Sequence, residues 1–412
     1  MAVGLALMLG GCATAGGAGG SGSEEASGQV KTEKVNVDPM LVRGGEGVEG
    51  EKTLDSKDVF DRAYEAYSAR RFEKAAEHYA LVVEHFPDSR FYYSALYNGG
   101  LAFEKVKRWE SAGEMYSRLI DEFPEKEDTK DAYYRLARVY QELGRHQQIV
   151  ELMTEVLLRD GLSTFDRIEA YTHRSKALLE LGELEDAKNG YMNVLTLNQK
   201  ASAAERLPSD SRYISQTYFG LGKVYHRKQS AISLKLPPKA MGEDLDKKGK
   251  LLLEAQKYYL QALRQHHPEW SVAAGYMIGR LYEDFYSEIF SAEIPKDLTE
   301  EHLAMYFEEL RKQIRPLMKR AIDVYEKNLS LSRRIGETPQ NNRWVAETSE
   351  SMQRMKAYLN NPVTQRRAQK MVREGRDFRD LWEPWEEAED RVHRAIQQAT
   401  EEAASRLNAA RR

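Results

Sequence analysis

The residue types that could do chemistry in this 412-residue chain are few in kind and unevenly placed, beginning with a single thiol, Cys12. One cysteine cannot build an intramolecular disulfide, a cysteine zinc cluster or a C-x-x-C redox pair. Nine histidines are scattered along the chain; the adjacent pair His266-His267 precedes Pro268, and no H-E-x-x-H occurs. A solvated or capping role suits that pair better than metal ligation. Neither G-x-S-x-G nor a Walker loop is present, and Gly17-Ala18-Gly19 lies in low-complexity sequence, following no strand and opening no helix. The 65 Asp and Glu are so numerous that no two stand out as general acid and base. Against 61 Lys and Arg they leave a net charge of −4, which excludes a wholly basic nucleic-acid binder and an acidic solvating tail. No enzyme chemistry, metal, cofactor or nucleic-acid partner is expected. What remains is attachment at Cys12 and recognition by surfaces.

Residues 2–9, before that thiol, carry no charge. The run is too short to span a bilayer but has the length of a signal-peptide apolar region. It ends in Leu9-Gly10-Gly11-Cys12, which resembles a bacterial lipobox. The resemblance implies that Cys12 is acylated and becomes the mature N-terminus, and Ala13 after it favours the outer membrane, with the protein facing the periplasm. Two features depart from the pattern: no Lys or Arg precedes Leu5, and Gly10 stands where Ala or Ser is usual. The competing reading makes residues 1–12 the apolar start of a cytosolic protein. Residues 13–52, opening with a Gly-Ala-Ser run, are expected to be a disordered tether with a reach of roughly 35 Å.

Beyond the tether the sequence repeats. Phe72, Ala75, Tyr79, Val82 and Pro87 recur as Trp109, Ala112, Tyr116, Leu119 and Pro124, a spacing of 37 residues, and again around Ile149 and Ala187. A second helical stretch precedes each unit, with small and aromatic residues at helical spacing, as in Leu96, Gly100 and Phe103 or Leu221, Gly222 and Tyr225. These are helix hairpins in which Gly or Ala admits a bulky side chain. The pattern resembles the tetratricopeptide repeat, which implies an all-α right-handed superhelical solenoid. Six repeats fit 53–335, with insertions near 229–249 and 284–313. Residues 336–361 read as a capping helix. Residues 362–412 read as a charged helical extension with a stripe of Trp385, Ala388, Val392, Ala395 and Ala399.

Function follows from where first-helix residues point. In tetratricopeptide proteins one stripe of the first helix lines a concave groove. Carried over, its fifth position is Phe60, Tyr97, Tyr134, Thr172, Phe219 and Tyr276; its ninth is Tyr64, Leu101, Arg138, Lys176, Lys223 and Arg280. An aromatic ladder beside a basic row would hold an extended partner segment carrying acidic groups. The alternative is that the tyrosines pack between repeats while the bases pair with Asp131, Glu169 or Glu283. The carboxylate clamp of chaperone-binding members is not matched: Asn98 and Arg135 are suggestive, but Phe60, Tyr64 and Asp131 replace residues it needs. Lipobox, tether and repeats together resemble envelope-machine scaffolds, which implies protein partners and a lipid-held membrane contact. Gliding motility of the myxobacterial type ranks first, barrel assembly second, and pilus or secretion assembly third. A different class of reading is a cell-wall enzyme or regulator with a cleft of Glu243, Asp244, Asp246 or Glu293.

Overall fold

The computed structural model describes residues 40–43, 52–126, 129–208, 211–290, 292–293, 299–336, 338–339 and 341–360. Cys12, its lipobox and the 362–412 extension lie outside the described residues. The chain divides into two units, Met1–Asp55 and Ser56–Arg412. In the first, β1 (Met40–Arg43) pairs antiparallel with β2 (Lys52–Asp55), Leu41 opposite Leu54 and Val42 opposite Thr53. The stretch expected to be featureless over 13–52 therefore contains strand at its end.

The second unit is built of helices: α1 (Ser56–Ser68), α2 (Phe72–His85), α3 (Tyr92–Lys105), α4 (Trp109–Glu122), α5 (Thr129–Glu142), α6 (His146–Leu158) and α7 (Thr164–Leu181). There follow α8 (Leu184–Lys200), α9 (Arg212–Ser230), α10 (Pro238–Arg264), α11 (Pro268–Phe290), α12 (Glu300–Ile335) and α13 (Asn342–Asn360). Each of α1 to α12 packs on the next, making six hairpins, and α13 closes the stack against α11 and α12. From α5 onward the first helices also touch one another, α5 on α7, α7 on α9, α9 on α11. They form one layer and the second helices the other. Inside four of the six hairpins the turn contains a left-handed residue: Arg70, Lys107, Gly144 and Gly182, with φ of 57°, 59°, 68° and 88°. That conformation stops one helix and starts the next within a few residues.

The repeat register is fixed by a tyrosine in the second helix pressing on a glycine in the first. Tyr116 fills the space above Gly100, Tyr259 that above Gly222 and Tyr325 that above Gly279; a Cβ at any of the three glycines would overlap the ring. The residue one turn after the glycine then meets the buried hydroxyl. Tyr116 donates to Glu104 at 2.6 Å and Tyr325 to Glu283 at 2.8 Å, while Tyr259 lies 3.4 Å from His226 Nδ1. Burial pushes all three tyrosine pKa values above the ordinary value, joined by Glu104 at Tyr116, by Glu283 at Tyr325 and by the charge of Asp284 at Tyr259. Gly279→Ala is expected to destabilise the stack by about 1–3 kcal/mol, because the Tyr325 ring must shift and carry its hydrogen bond with it. Urea unfolding measures the loss, and an unchanged midpoint would refute the packing account.

The two insertions lengthen helices rather than adding a separate body. Lys248, in the first half of the 27-residue α10, is fully buried. Its Nζ donates to the carbonyls of Gln229 and Ile232, both at 2.6 Å, and pairs with Glu288 at 2.8 Å. Gln229 donates to the same Glu288 at 2.6 Å, and the Leu236 amide donates to Glu293 at 3.0 Å. Lys248, Gln229 and Glu288 thus join α9, α10 and α11, and Glu293 separately ties the residues after α11 to those before α10. The carboxylates proposed for an enzymatic cleft do not converge: Glu293 holds backbone, Asp244 holds Lys247 at 3.0 Å, and Glu243 and Asp246 are exposed.

Candidate binding groove

The fifth-position residues of the first helices divide into two sorts. Tyr134, Phe219 and Tyr276 are buried, and Thr172 is buried with its hydroxyl donating to the Ile168 carbonyl at 2.7 Å. Tyr134 spans to the next hairpin, its hydroxyl donating to the Asp166 carbonyl at 2.9 Å. Phe60 is half-buried, stacked on Phe91 at 5.0 Å and edge-on to Tyr79 at 5.5 Å. The expected open ladder is therefore largely a packed seam between hairpins. First helices approach so closely that a ring there has a neighbour to cover it. Of this stripe's aromatics, Tyr64 of the ninth position is the most open, at 61 % exposed.

The far end of the groove is also filled. Trp344 of α13 sits against Phe219 at 6.0 Å and Tyr276 at 5.7 Å between ring centres. Arg354 of the same helix donates to Glu283 at 2.9 Å. The capping helix thus covers the inner face of the last two hairpins. Its placement was legible only as a cap, since nothing in its sequence states against which layer it packs.

Of the four bases in the ninth position, two are engaged within the chain. Lys223 pairs with Glu180 at 3.0 Å, and Arg227 binds the other oxygen of that carboxylate at 2.6 Å. Arg280 pairs with Asp284 at 3.0 Å rather than with Glu283. Asp131 is held by Arg135 at 2.8 Å and by Tyr97, and Glu169 by Tyr213. Arg138 and Lys176 have no acidic partner at ion-pair distance among the described residues. Arg212 joins them. It stands at the start of α9, outside the family's groove positions, so the stripe could not have flagged it. Arg138 and Arg212 both act on the Tyr213 hydroxyl, and Arg212 acts on Lys176, which places the three in one region of α5, α7 and α9.

Lys176 is the most constrained of the three. Burial lowers its pKa, and the nearby charges of Arg212 and Lys223 push it the same way, with Glu180 and Glu142 opposing. Glu269 at the start of α11 is shifted in the converse sense: burial raises its pKa although Arg212 and Lys176 lie near. A desolvated ammonium without a bound acid is a group whose charged form a ligand carboxylate would stabilise. Toward the near end lies a recess of about 260 Å³ lined by Tyr93, Ser94, Tyr97, Asn98 and Asp131. Its mixed donors and acceptors suit polar groups of an extended chain. Among the described residues no group of His, Cys, Asp and Glu is arranged to hold a metal, and no helix is long and apolar enough to cross a membrane. His267 stands at the start of α11, its Nδ1 3.5 Å from the Trp270 amide, and the preceding His266 takes a left-handed φ of 60°.

A stack of helix hairpins with a lined inner face defines a repeat protein of the scaffold kind. The family model described as tetratricopeptide repeat matches residues 94–126 and 131–161, so the second and third hairpins are tetratricopeptide repeats and the others continue the same stack. No curated protein matches the chain. Among solved structures it is similar to the MamA protein, at 15% identity over 51% of this chain and 91% of that one, TM-score 0.37. It is similar to a tetratricopeptide repeat protein from Parabacteroides merdae, at 12% identity over 71% and 98%, TM-score 0.35. It is also similar to Pseudomonas aeruginosa pilF, at 12% identity over 63% and 91%, TM-score 0.35.

Proposed function

We propose that the protein is a lipid-anchored scaffold of the bacterial envelope whose inner face holds an extended, acidic segment of a partner protein. The observation that carries the binding half is the set of Arg138, Lys176 and Arg212, three bases on successive first helices with no acid at ion-pair distance among the described residues. Aromatic Tyr64 and the recess at Asn98 extend the same face toward the N-terminal hairpin. Photo-crosslinkers placed at Tyr64, Asn98 and Arg138 in the full chain test it. Partner adducts at these positions, and none at exposed Glu114 on α4, are expected; the reverse pattern would overturn the inner-face reading.

The anchoring half rests on sequence: the sole thiol, preceded by an apolar run and two glycines. Cys12→Ala is expected to move the protein from the outer-membrane fraction to the soluble periplasmic fraction, and unchanged fractionation would refute the anchor. Of the machines such a scaffold could serve, gliding motility is placed first, on the likeness of the pattern from Leu236-Pro237-Pro238 to Arg334 to deltaproteobacterial repeat proteins, with barrel assembly and pilus or secretion assembly behind it. The reading as a cell-wall enzyme loses the cleft it needed, because the named carboxylates of the insertions are separately engaged or exposed.

A further inference from the structure

The second helices α10 and α12 each pack on α11 and leave between them a groove of about 380 Å³. Its apolar floor is Leu260 and Leu263 of α10, Ile278 of α11, and Val324 and Leu331 of α12. Ile278 is covered, but the other four are only half-buried, so their apolar carbon still meets water. The walls repeat at helical spacing. Gln256, Leu260 and Leu263 follow at steps of four and three along α10, and Val324 and Leu331 stand seven apart on α12. Side chains at that spacing on two neighbouring helices form a seam into which a third helix packs.

The charge along the groove is one-sided. Arg320 and Lys327 each precede a wall residue of α12 by four, and Arg334 continues the row. The three recur every seventh residue, span about 21 Å at 1.5 Å per residue, and are exposed. Asp323, 2.8 Å from Lys327 and 3.8 Å from Arg320, offsets one of them. These four are the charged residues lining the groove, all on α12, and their sum is positive. An occupant complementary to this surface carries acidic groups along one flank of an apolar stripe.

The floor also selects the occupant's backbone. An extended chain laid across Leu, Ile and Val would leave its N–H and C=O groups without partners, whereas a helix satisfies them internally. Polar neighbours do not make up the difference. Asn328 is 3% exposed, and its amide nitrogen already donates to the Val272 carbonyl and the Thr348 hydroxyl, both at 3.0 Å.

We propose that the groove between α10 and α12 is the docking site of an amphipathic helix of a partner protein, about four turns long. Its apolar stripe rests on Leu260, Leu263 and Val324, and acidic residues one heptad apart along one flank face Arg320, Lys327 and Arg334. This surface lies between second helices, apart from the first-helix positions of the inner face, and does not depend on what that face binds.

The probe is a fluorescein-labelled synthetic peptide of about three heptads with Leu at positions a and d, Glu at e and neutral residues elsewhere; a second peptide carries Lys in place of Glu. Anisotropy with the full chain is expected to show the Glu peptide bound at least about tenfold more tightly, a difference that narrows as salt is added. Arg320→Glu, Lys327→Glu and Arg334→Glu together should invert the preference, and Leu260→Asp should weaken both peptides about tenfold or more. Should Leu260→Asp disturb the stack, a bulky maleimide on Gln256→Cys, in a chain with Cys12→Ser, blocks the groove instead, with Glu114→Cys on α4 as the control. Reversing Arg138, Lys176 and Arg212 should leave the peptide bound, which separates this site from the inner face. Equal affinity for the two peptides, binding indifferent to the groove variants, or binding lost with the inner-face reversal alone would each overturn the proposal. So would occupation of the groove by phosphatidylglycerol vesicles while neither peptide binds.

Discussion

Asp284→Asn is expected to cost about 3–5 kcal/mol of stability at neutral pH, the range for removing one member of a buried ion pair. The carboxylate lies 3.0 Å from Arg280 Nη2 on its own helix and 3.2 Å from His226 Nε2 on α9. His226 in turn reaches the Tyr259 hydroxyl of α10. One acid therefore connects three helices of two consecutive hairpins. Burial alone would raise its pKa, but the His226 and Arg280 contacts outweigh it and hold the carboxyl below the usual value. A depressed carboxylate contributes stability that is present above its unfolded pKa and lost as pH falls through its folded value. The difference between Asp284 and the Asn variant should accordingly be full at pH 7 and smaller at an acid pH below the ordinary aspartate range. Because repeat stacks lose stability locally, hydrogen exchange should rise in α9, α10 and α11 before α1 to α4. A loss under about 1 kcal/mol, or an equal loss at both pH values, would show that the acid does not couple the hairpins.

Much of this architecture was legible in the sequence because it is periodic. The tyrosine-on-glycine contacts at Gly100, Gly222 and Gly279 recur with the repeat, so the helix hairpins show in residue types alone. Their turns were less visible: Arg70 and Lys107 adopt a left-handed conformation that neither side chain announces. The insertions were visible as length. Extra residues between recognisable half-repeats read as helical insertions, and they are taken up in α10 and α12, which grow to 27 and 36 residues. The buried Lys248 that anchors α10 has no sequence signature, since its partners are two backbone carbonyls and a glutamate 40 positions on. The pairing of β1 with β2 was missed because composition over 13–52 was averaged across a Gly-rich start and a Leu-Val-Arg end.

For the binding face, position predicted place better than role. The basic row does lie on the first helices, but whether a base is free depends on the acid one turn away or on the next helix. Lys223 finds Glu180 and Arg280 finds Asp284; Lys176 also has Glu180 at its fourth following residue, yet Lys223 and Arg227 already occupy it. Competition among bases for one carboxylate leaves Lys176 uncompensated, and no stripe assignment could have shown that. Trp344 then sets the far limit of the free surface by covering Phe219 and Tyr276. The open face thus runs from α1 to the start of α9, shorter than the groove the positions alone imply.

Changing Arg138, Lys176 and Arg212 together to Glu is expected to weaken capture of an acidic partner at least about 100-fold, since three attractive contacts become like-charge contacts in a partly desolvated face. Lys223→Ala and Arg280→Ala serve as counter-cases. Both remove bases of the ninth-position row, on α9 and α11, but bases already bound to Glu180 and Asp284, so they should lower stability more than affinity. Lys176 adds a pH signature. Its folded pKa is lowered by burial and by Arg212 and Lys223, so the amine loses its charge below the ordinary lysine range. A partner carboxylate favours the ammonium, and binding then takes up protons in that window. Affinity measured by titration calorimetry should fall as pH rises through it, whereas in Lys176→Arg the guanidinium stays charged and the fall should disappear. Binding that survives the triple reversal, or that declines equally in the Arg variant, would move recognition off this face.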